Sequence, residues 1–148
     1  MKTRIVITGL GIMAPNGHGL DEYEKALREG RSGIRFIPQL KELGFACQVG
    51  GVPRGFEELC TKYFDAEDLL SVNDNIGYAC IAAIDAWRDA GFTVPKPDST
   101  DVDWDTGAIM GSGIGGMETI AGQVVPKVNE HQIRRMGSTI VQMVMNSS

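Results

Sequence analysis

The sequence predicts a mixed α/β fold built in layers. Two apolar runs, residues 4–8 and 107–111, each lead into a glycine turn in the manner of a strand leaving a sheet. Between them lies the longest helical pattern, residues 73–89, apolar around almost its whole circumference. A helix of that kind has no face for water and belongs inside a layered structure. Strand, helices and strand again around such a helix is the order of an α/β arrangement.

In chain order, the strand at 4–8 gives way to a breaker-rich loop, Pro15, Asn16, Gly17 and Gly19, before helical pattern resumes at residues 21–29. Asp21 is placed to cap that helix, Glu24 stands in the capping-box position, and Gly30 is the stop. Residues 31–38 read as extended and exposed. Ala46, Cys47, Gln48 and Val49 suggest a short strand or irregular segment. A short acidic helix follows at 65–70, capped by Asp65. On the long helix Ile76, Cys80, Ala83, Trp87 and Ala90 form one stripe at steps of four and three. Ala79, Ile81, Ala82, Ile84 and Ala86 widen it until Asp85, Arg88 and Asp89. Gly91 ends the helix, and a polar linker from Val94 through Pro97 to Asp105 carries Trp104. The second strand, 107–111, has no polar side chain before its glycine end, which suits a sheet covered on both faces. Helix is expected again over 117–125.

Both glycine turns imitate a dinucleotide-binding fingerprint, in which a strand turns into a helix whose N-terminal amides face a pyrophosphate. Gly9, Gly11 and Ala14 have the spacing. Yet Pro15 interrupts the helix that must follow, and no acidic strand end comes about 20 residues on to hold a ribose. A tight strand exit packed beneath another strand fits these residues better than NAD or NADP binding. Gly111, Gly113 and Gly116 repeat the spacing within a run that is glycine or serine except for Ile114. Two readings stand there: close packing against a neighbouring layer or subunit, and a wall that lets a slender ligand approach.

With 148 residues and 43% apolar content, the chain is long enough for a single domain with one core. The formal charge of −5 is spread along the chain and argues against nucleic-acid binding. Lys2 and Arg4 precede too short an apolar run for a secretory signal, and no stretch is apolar for long enough to span a bilayer, so a cytoplasmic protein is expected. Cys47, Cys60 and Cys80 lack metal-ligand spacing and are expected to be reduced and structural. His18 and His131 lie in polar, loop-like segments and read as solvent-facing. At the C-terminal end Ser138 is placed to cap an apolar helix that continues through Thr139, Ile140, Val141, Gln142, Met143, Val144 and Met145 to Asn146, Ser147 and Ser148. It has no polar side, so more protein is expected to cover it, on another chain or in a continuation.

Four blocks now stand in order: Ile5 to Gly11, Leu27 to Ile34, Met110 to Gly116, and Ser138 to Val141. Together they resemble the N-terminal part of the β-ketoacyl-acyl-carrier-protein synthases, elongating type I/II condensing enzymes of the thiolase-like superfamily. The resemblance covers nearly the whole chain. It implies a thiolase-like layered α-β-α-β-α fold, of which residues 1–148 form the N-terminal portion and are incomplete at the C-terminus. It implies acyltransferase chemistry, the decarboxylative Claisen condensation of fatty-acid or polyketide and polyene synthesis. An acyl carrier protein and a homodimeric or heterodimeric partner follow from it, and no cofactor or metal.

In that family the nucleophilic cysteine and two histidines lie in motifs that none of these residues match, so the resemblance places no catalytic residue in this chain. It puts Gly113 and Ile114 in the wall of an acyl pocket, where one methylene is worth about 1–3 kcal/mol of selectivity. It puts Ser138, Thr139, Val141 and Gln142 at the dimer interface. Two departures stand out. Residues 71–75 carry no basic side chain where relatives offer one to a carrier protein, and Arg134 and Arg135 replace apolar residues. With Lys127 that pair reads either as a docking patch or as a solvated charge run. A non-catalytic chain-length or scaffold subunit and an NAD(P)-binding protein remain as alternatives.

Overall fold

The computed structural model describes residues 3–96 and 99–146; Lys2, Pro97, Ser147 and Ser148, named above, lie outside the described residues. The chain forms two compact units, one from the residues up to Phe56 with Ile81–Val94, the other from Glu57–Cys80 with the residues from Pro95 onward.

The first unit opens with an extended segment and a tight hairpin, β1 (Met13–Ala14) antiparallel to β2 (Gly17–His18), turned by Pro15 and Asn16. Helix α1 (Leu20–Arg28) follows. Its N-cap is Gly19, without a side-chain cap bond, so Asp21 sits in the first turn rather than capping it. There it still opposes the positive end of the helix dipole. Glu24 is spent on Arg28 one turn on, at 2.8 Å to Nε. The predicted stop holds: Gly30 bonds back to the Leu27 carbonyl and Arg31 to that of Ala26, a Schellman turn. Strands β3 (Ile34–Phe36) and β4 (Val49–Gly51) then pair antiparallel, Arg35 opposite Gly50. Their separation by α2 (Pro38–Glu42) was not visible in the sequence pattern.

The strand expected at 4–8 does not form. Residues 3–12 are irregular and join no sheet among the described residues, and Ile5 and Ile7 are 93% and 83% exposed. The run at 107–111 likewise forms no strand, and Ile109 is 99% exposed. A strand is stabilised by a neighbour's hydrogen bonds and by cover on its apolar faces, and neither run has them here.

What Gly9 and Gly11 do is clear from helix α4 (Asp74–Asp89), which gives Ile81 onward to the first unit. Ala82 and Ala86 of this helix and Ala90 just past its end fall four apart and line one strip. A Cβ on Gly9 would enter the Ala86 carbonyl and the Ala90 amide, and one on Gly11 the Ala82 carbonyl and Ala86 amide. The glycines bring backbone against backbone on a helix, not beneath a strand and not around a phosphate. Leu10 between them donates its amide to Asp89 at 2.9 Å. α4 ends as predicted at Gly91, whose Schellman turn brings Phe92 onto Trp87 with ring centroids 4.8 Å apart. Only Gly77 and Ile81 of this helix are fully buried, fewer than its apolar circumference predicts.

The second unit holds α3 (Phe56–Tyr63), a 3₁₀ turn at Asp68–Leu70, and the first residues of α4. Asp65 caps the turn through the Glu67 and Asp68 amides, both at 2.8 Å. The predicted acidic helix is therefore a single 3₁₀ turn. From Gly116 the chain winds through α5 (Met117–Thr119), a π-helical stretch (Ile120–Val124) and α6 (Val125–Asn129). The π winding precedes Pro126, which has no amide for the helix ladder and would crowd the carbonyl four residues back. After α6, His131 occupies the left-handed C′ position at φ 57°, with the Schellman bonds from His131 to Val128 and from Gln132 to Lys127. A 3₁₀ turn (Ile133–Arg135) leads to α7 (Ser138–Met145). Its N-cap is Gly137, so Ser138 is the first helical residue and not the cap. Ile140 and Met143 are its buried pair.

Candidate functional site

The predicted site residues all belong to the second unit, whose polar centre is Asn73. Asn73 caps α4 by accepting the Ile76 amide at 3.0 Å, and its own amide donates to the Thr119 hydroxyl at 3.2 Å and the Met143 carbonyl at 3.3 Å. Asn73 and Thr119 are both buried. One side chain thus joins α4, α5 and α7. The Asp74 amide donates to Glu118 at 3.0 Å, and the Asn75 amide group to the Ser112 hydroxyl at 3.4 Å. Residues 111–116 therefore leave and return beside the first turn of α4. A cleft of about 160 Å³ opens there between Asn75, Ile76, Ala79 and Cys80 on one side and Met110, Gly111, Ser112 and Asn146 on the other.

Gly113 and Ile114 do not line that cleft. A Cβ on Gly113 meets nothing within 4 Å, and Ile114 is 81% exposed. On α7, Ser138, Val141 and Gln142 face outward and Thr139 is half-buried. The two sets of sequence-predicted residues are thus carried on one unit, but at its surface.

The electrostatics of this unit suppress nucleophiles. Burial raises the Cys60 thiol pKa, with Asp74 and Glu57 adding repulsion to a thiolate. Burial, then Asp68, raises that of Cys80. Tyr78 is pushed up to about 12 by desolvation, the Asp74 charge and its hydrogen bond to Asp74, with Glu118 adding to them. Activated cysteines need the opposite environment. Among the described residues no three His, Cys, Asp or Glu side chains converge to hold a metal, and no helix is long and apolar enough to cross a membrane. Arg134 and Arg135 are exposed, and Arg135 donates to Gln132.

In the first unit the structure also corrects the reading of His18. His18 is half-buried and lies 3.0 Å from Asp85 on α4, rather than facing solvent. Arg88 stands 3.9 Å from the same carboxylate. No local pattern signals this pair, because its members are far apart in the chain. His131 is exposed as expected, held there by its role in the turn.

A family model described as the beta-ketoacyl synthase N-terminal domain matches residues 2–148. The chain belongs to the β-ketoacyl synthase family. It is 34% identical over 119 residues to a 3-oxoacyl-acyl-carrier-protein synthase 2 of Vibrio harveyi, covering 80% of this chain and 27% of that one. A synthase of the same name from Synechocystis is 28% identical over 145 residues, 98% of this chain and 33% of the relative. The tetracenomycin polyketide synthase ketoacyl synthase beta subunit of Streptomyces glaucescens is 34% identical over 114 residues, 77% and 26%. The chain spans a third or less of these relatives. Membership in the ketosynthase family carries with it the thiolase-like α/β class, and the helices and small sheets agree with it.

Proposed function

We propose that these residues are the N-terminal portion of a β-ketoacyl-acyl-carrier-protein synthase of fatty-acid or polyketide synthesis. The reading rests on the family match along residues 2–148. In the proposed reaction the acyl group passes from a carrier-protein thioester to an enzyme thiolate. The malonyl thioester then loses CO₂, its α-carbon bonds to the acyl carbonyl carbon, and the enzyme thiolate leaves. The cysteine, and the histidines that stabilise the enolate oxygen, come from residues outside this chain. The raised thiol pKa values of Cys60 and Cys80 support that division.

In the layered α-β-α-β-α arrangement the exposed runs at 4–8 and 107–111 take up strand pairing once the remainder of the synthase or a companion segment covers them. Ile114 and Gly113 wall the acyl pocket. Ser138, Thr139, Val141 and Gln142 meet a partner subunit in a homodimer or heterodimer that serves an acyl carrier protein in the cytoplasm. The test is CO₂ release from malonyl carrier protein in the presence of acyl carrier protein. Release by the complete synthase and none by residues 1–148 alone is expected; turnover by these residues alone overturns the assignment of catalysis elsewhere.

A second reading, a non-catalytic chain-length or scaffold subunit, draws on the likeness to the Streptomyces beta subunit. The intact protein separates them: an alkylating acyl analogue labels a nucleophilic cysteine in the first and none in the second.

A further inference from the structure

Three consecutive residues at the start of α4 hold the glycine loop at both ends. Asn75 grips Ser112 on the entering side, at 3.4 Å between its amide nitrogen and the hydroxyl. Asp74 and Asn73 grip Glu118 and Thr119 on the leaving side, at 3.0 and 3.2 Å. The helix turn that does this is itself fixed, since Asn73 also caps α4 and donates to the Met143 carbonyl of α7. Between the two grips the middle of the loop is open: Gly113 has free space where a Cβ would stand and Ile114 is largely exposed, while Gly116, nearer the leaving side, is buried. Glycine flanks Ile114 on both sides, so its backbone turns freely unless the ends are pinned.

We propose that Asn75 is a positioning residue for Ile114, and through it sets the acyl-chain length the pocket accepts. The inference rests on the reading of Ile114 as pocket wall. The two anchors are not equivalent. The leaving side is held by a buried pair and a backbone amide, whereas among the described residues the side-chain tie on the entering side is the Asn75–Ser112 hydrogen bond. Removing the Asn75 amide leaves the loop tethered at one end, and Ile114 then yields to a longer chain.

The experiment compares kcat/KM across a series of saturated acyl-carrier-protein thioesters of increasing length, using the whole ketosynthase that carries these residues. Asn75→Ala raises the ratio of the longest accepted chain to the next shorter by about threefold, the worth of one ordinary hydrogen bond. Ser112→Ala gives the same shift, and the double variant adds nothing more. Asn75→Asp keeps the original ratio, because its carboxylate accepts from the Ser112 hydroxyl. A uniform fall at every length, or an unchanged ratio, overturns the proposal. Ile114→Ala keeps the two readings apart. If it leaves the ratio unmoved, the wall assignment fails; if it moves the ratio and Asn75→Ala does not, only the role of Asn75 fails.

Discussion

Replacing Gly11 with alanine tests how the first glycine turn is used. The added methyl would meet the Ala82 carbonyl oxygen and the Ala86 amide nitrogen, the latter at 2.6 Å, which no carbon occupies without movement. Both obstacles are backbone atoms of a helix, so no side chain can rotate away. Overpacking of an ordinary core costs about 1–3 kcal/mol, and rigid atoms on both sides place this substitution at the top of that range, near 3 kcal/mol. For a chain of this length that lowers the melting temperature by roughly 6–12 °C. Gly107→Ala is the control, since a Cβ there meets nothing within 4 Å. It should be neutral or stabilising by a few tenths to about 1 kcal/mol through the unfolded state. Urea unfolding followed by tryptophan fluorescence reads both, because Trp87 lies on the same helix, beside Ala86. If Gly11→Ala is no less stable than Gly107→Ala, the close helix contact is wrong and the turn is free for another use.

Other expectations follow from single residues. His131→Gly relieves a left-handed backbone that costs a side-chain-bearing residue about 1–2 kcal/mol, so thermal unfolding should shift upward by a comparable free energy. Asn73→Ala removes the α4 cap together with the hydrogen bonds to the Thr119 hydroxyl and the Met143 carbonyl; a loss of about 2–3 kcal/mol in denaturant titration is expected. Tyr78 binds its proton more tightly when folded, up to about 12 against an ordinary 10, so its contribution is complete below pH 10 and disappears as pH rises toward 12. Ultraviolet phenolate titration should show this alkaline loss, and Tyr78→Phe should flatten it.

Helices α1 and α4 and the start of α7 were legible because their signals are local: periodic apolar residues, Gly30 and Gly91 as stops, a polar residue ahead of the first turn. Even there the cap residues slipped, Gly19 taking the place of Asp21 and Gly137 that of Ser138, since a glycine in an extended or left-handed conformation opens a helix as readily as a polar side chain. The runs at 4–8 and 107–111 show the opposite limit. Their composition is that of strands, but a strand exists only with a partner, and that partner is not written in the run itself. Gly9 and Gly11 read as a strand exit packed beneath another strand, but the surface they fit is the helix strip of Ala82, Ala86 and Ala90, which no local pattern around the glycines names. The pairs that define the candidate site, Asn73 with Thr119 and Asn75 with Ser112, are separated by 46 and 37 residues, beyond the reach of any short pattern.

The bare apolar runs also have a consequence for handling. Ile5, Val6 and Ile7 lie along backbone that joins no sheet, as do Ile109 and Met110, and such segments are templates on which a second molecule can lay down a strand. Association is then expected to rise steeply with concentration, as exposed segments of this kind nucleate fibrillar or amorphous assembly. Refolding yield should therefore fall as protein concentration is raised, which light scattering during dilution from denaturant reads directly.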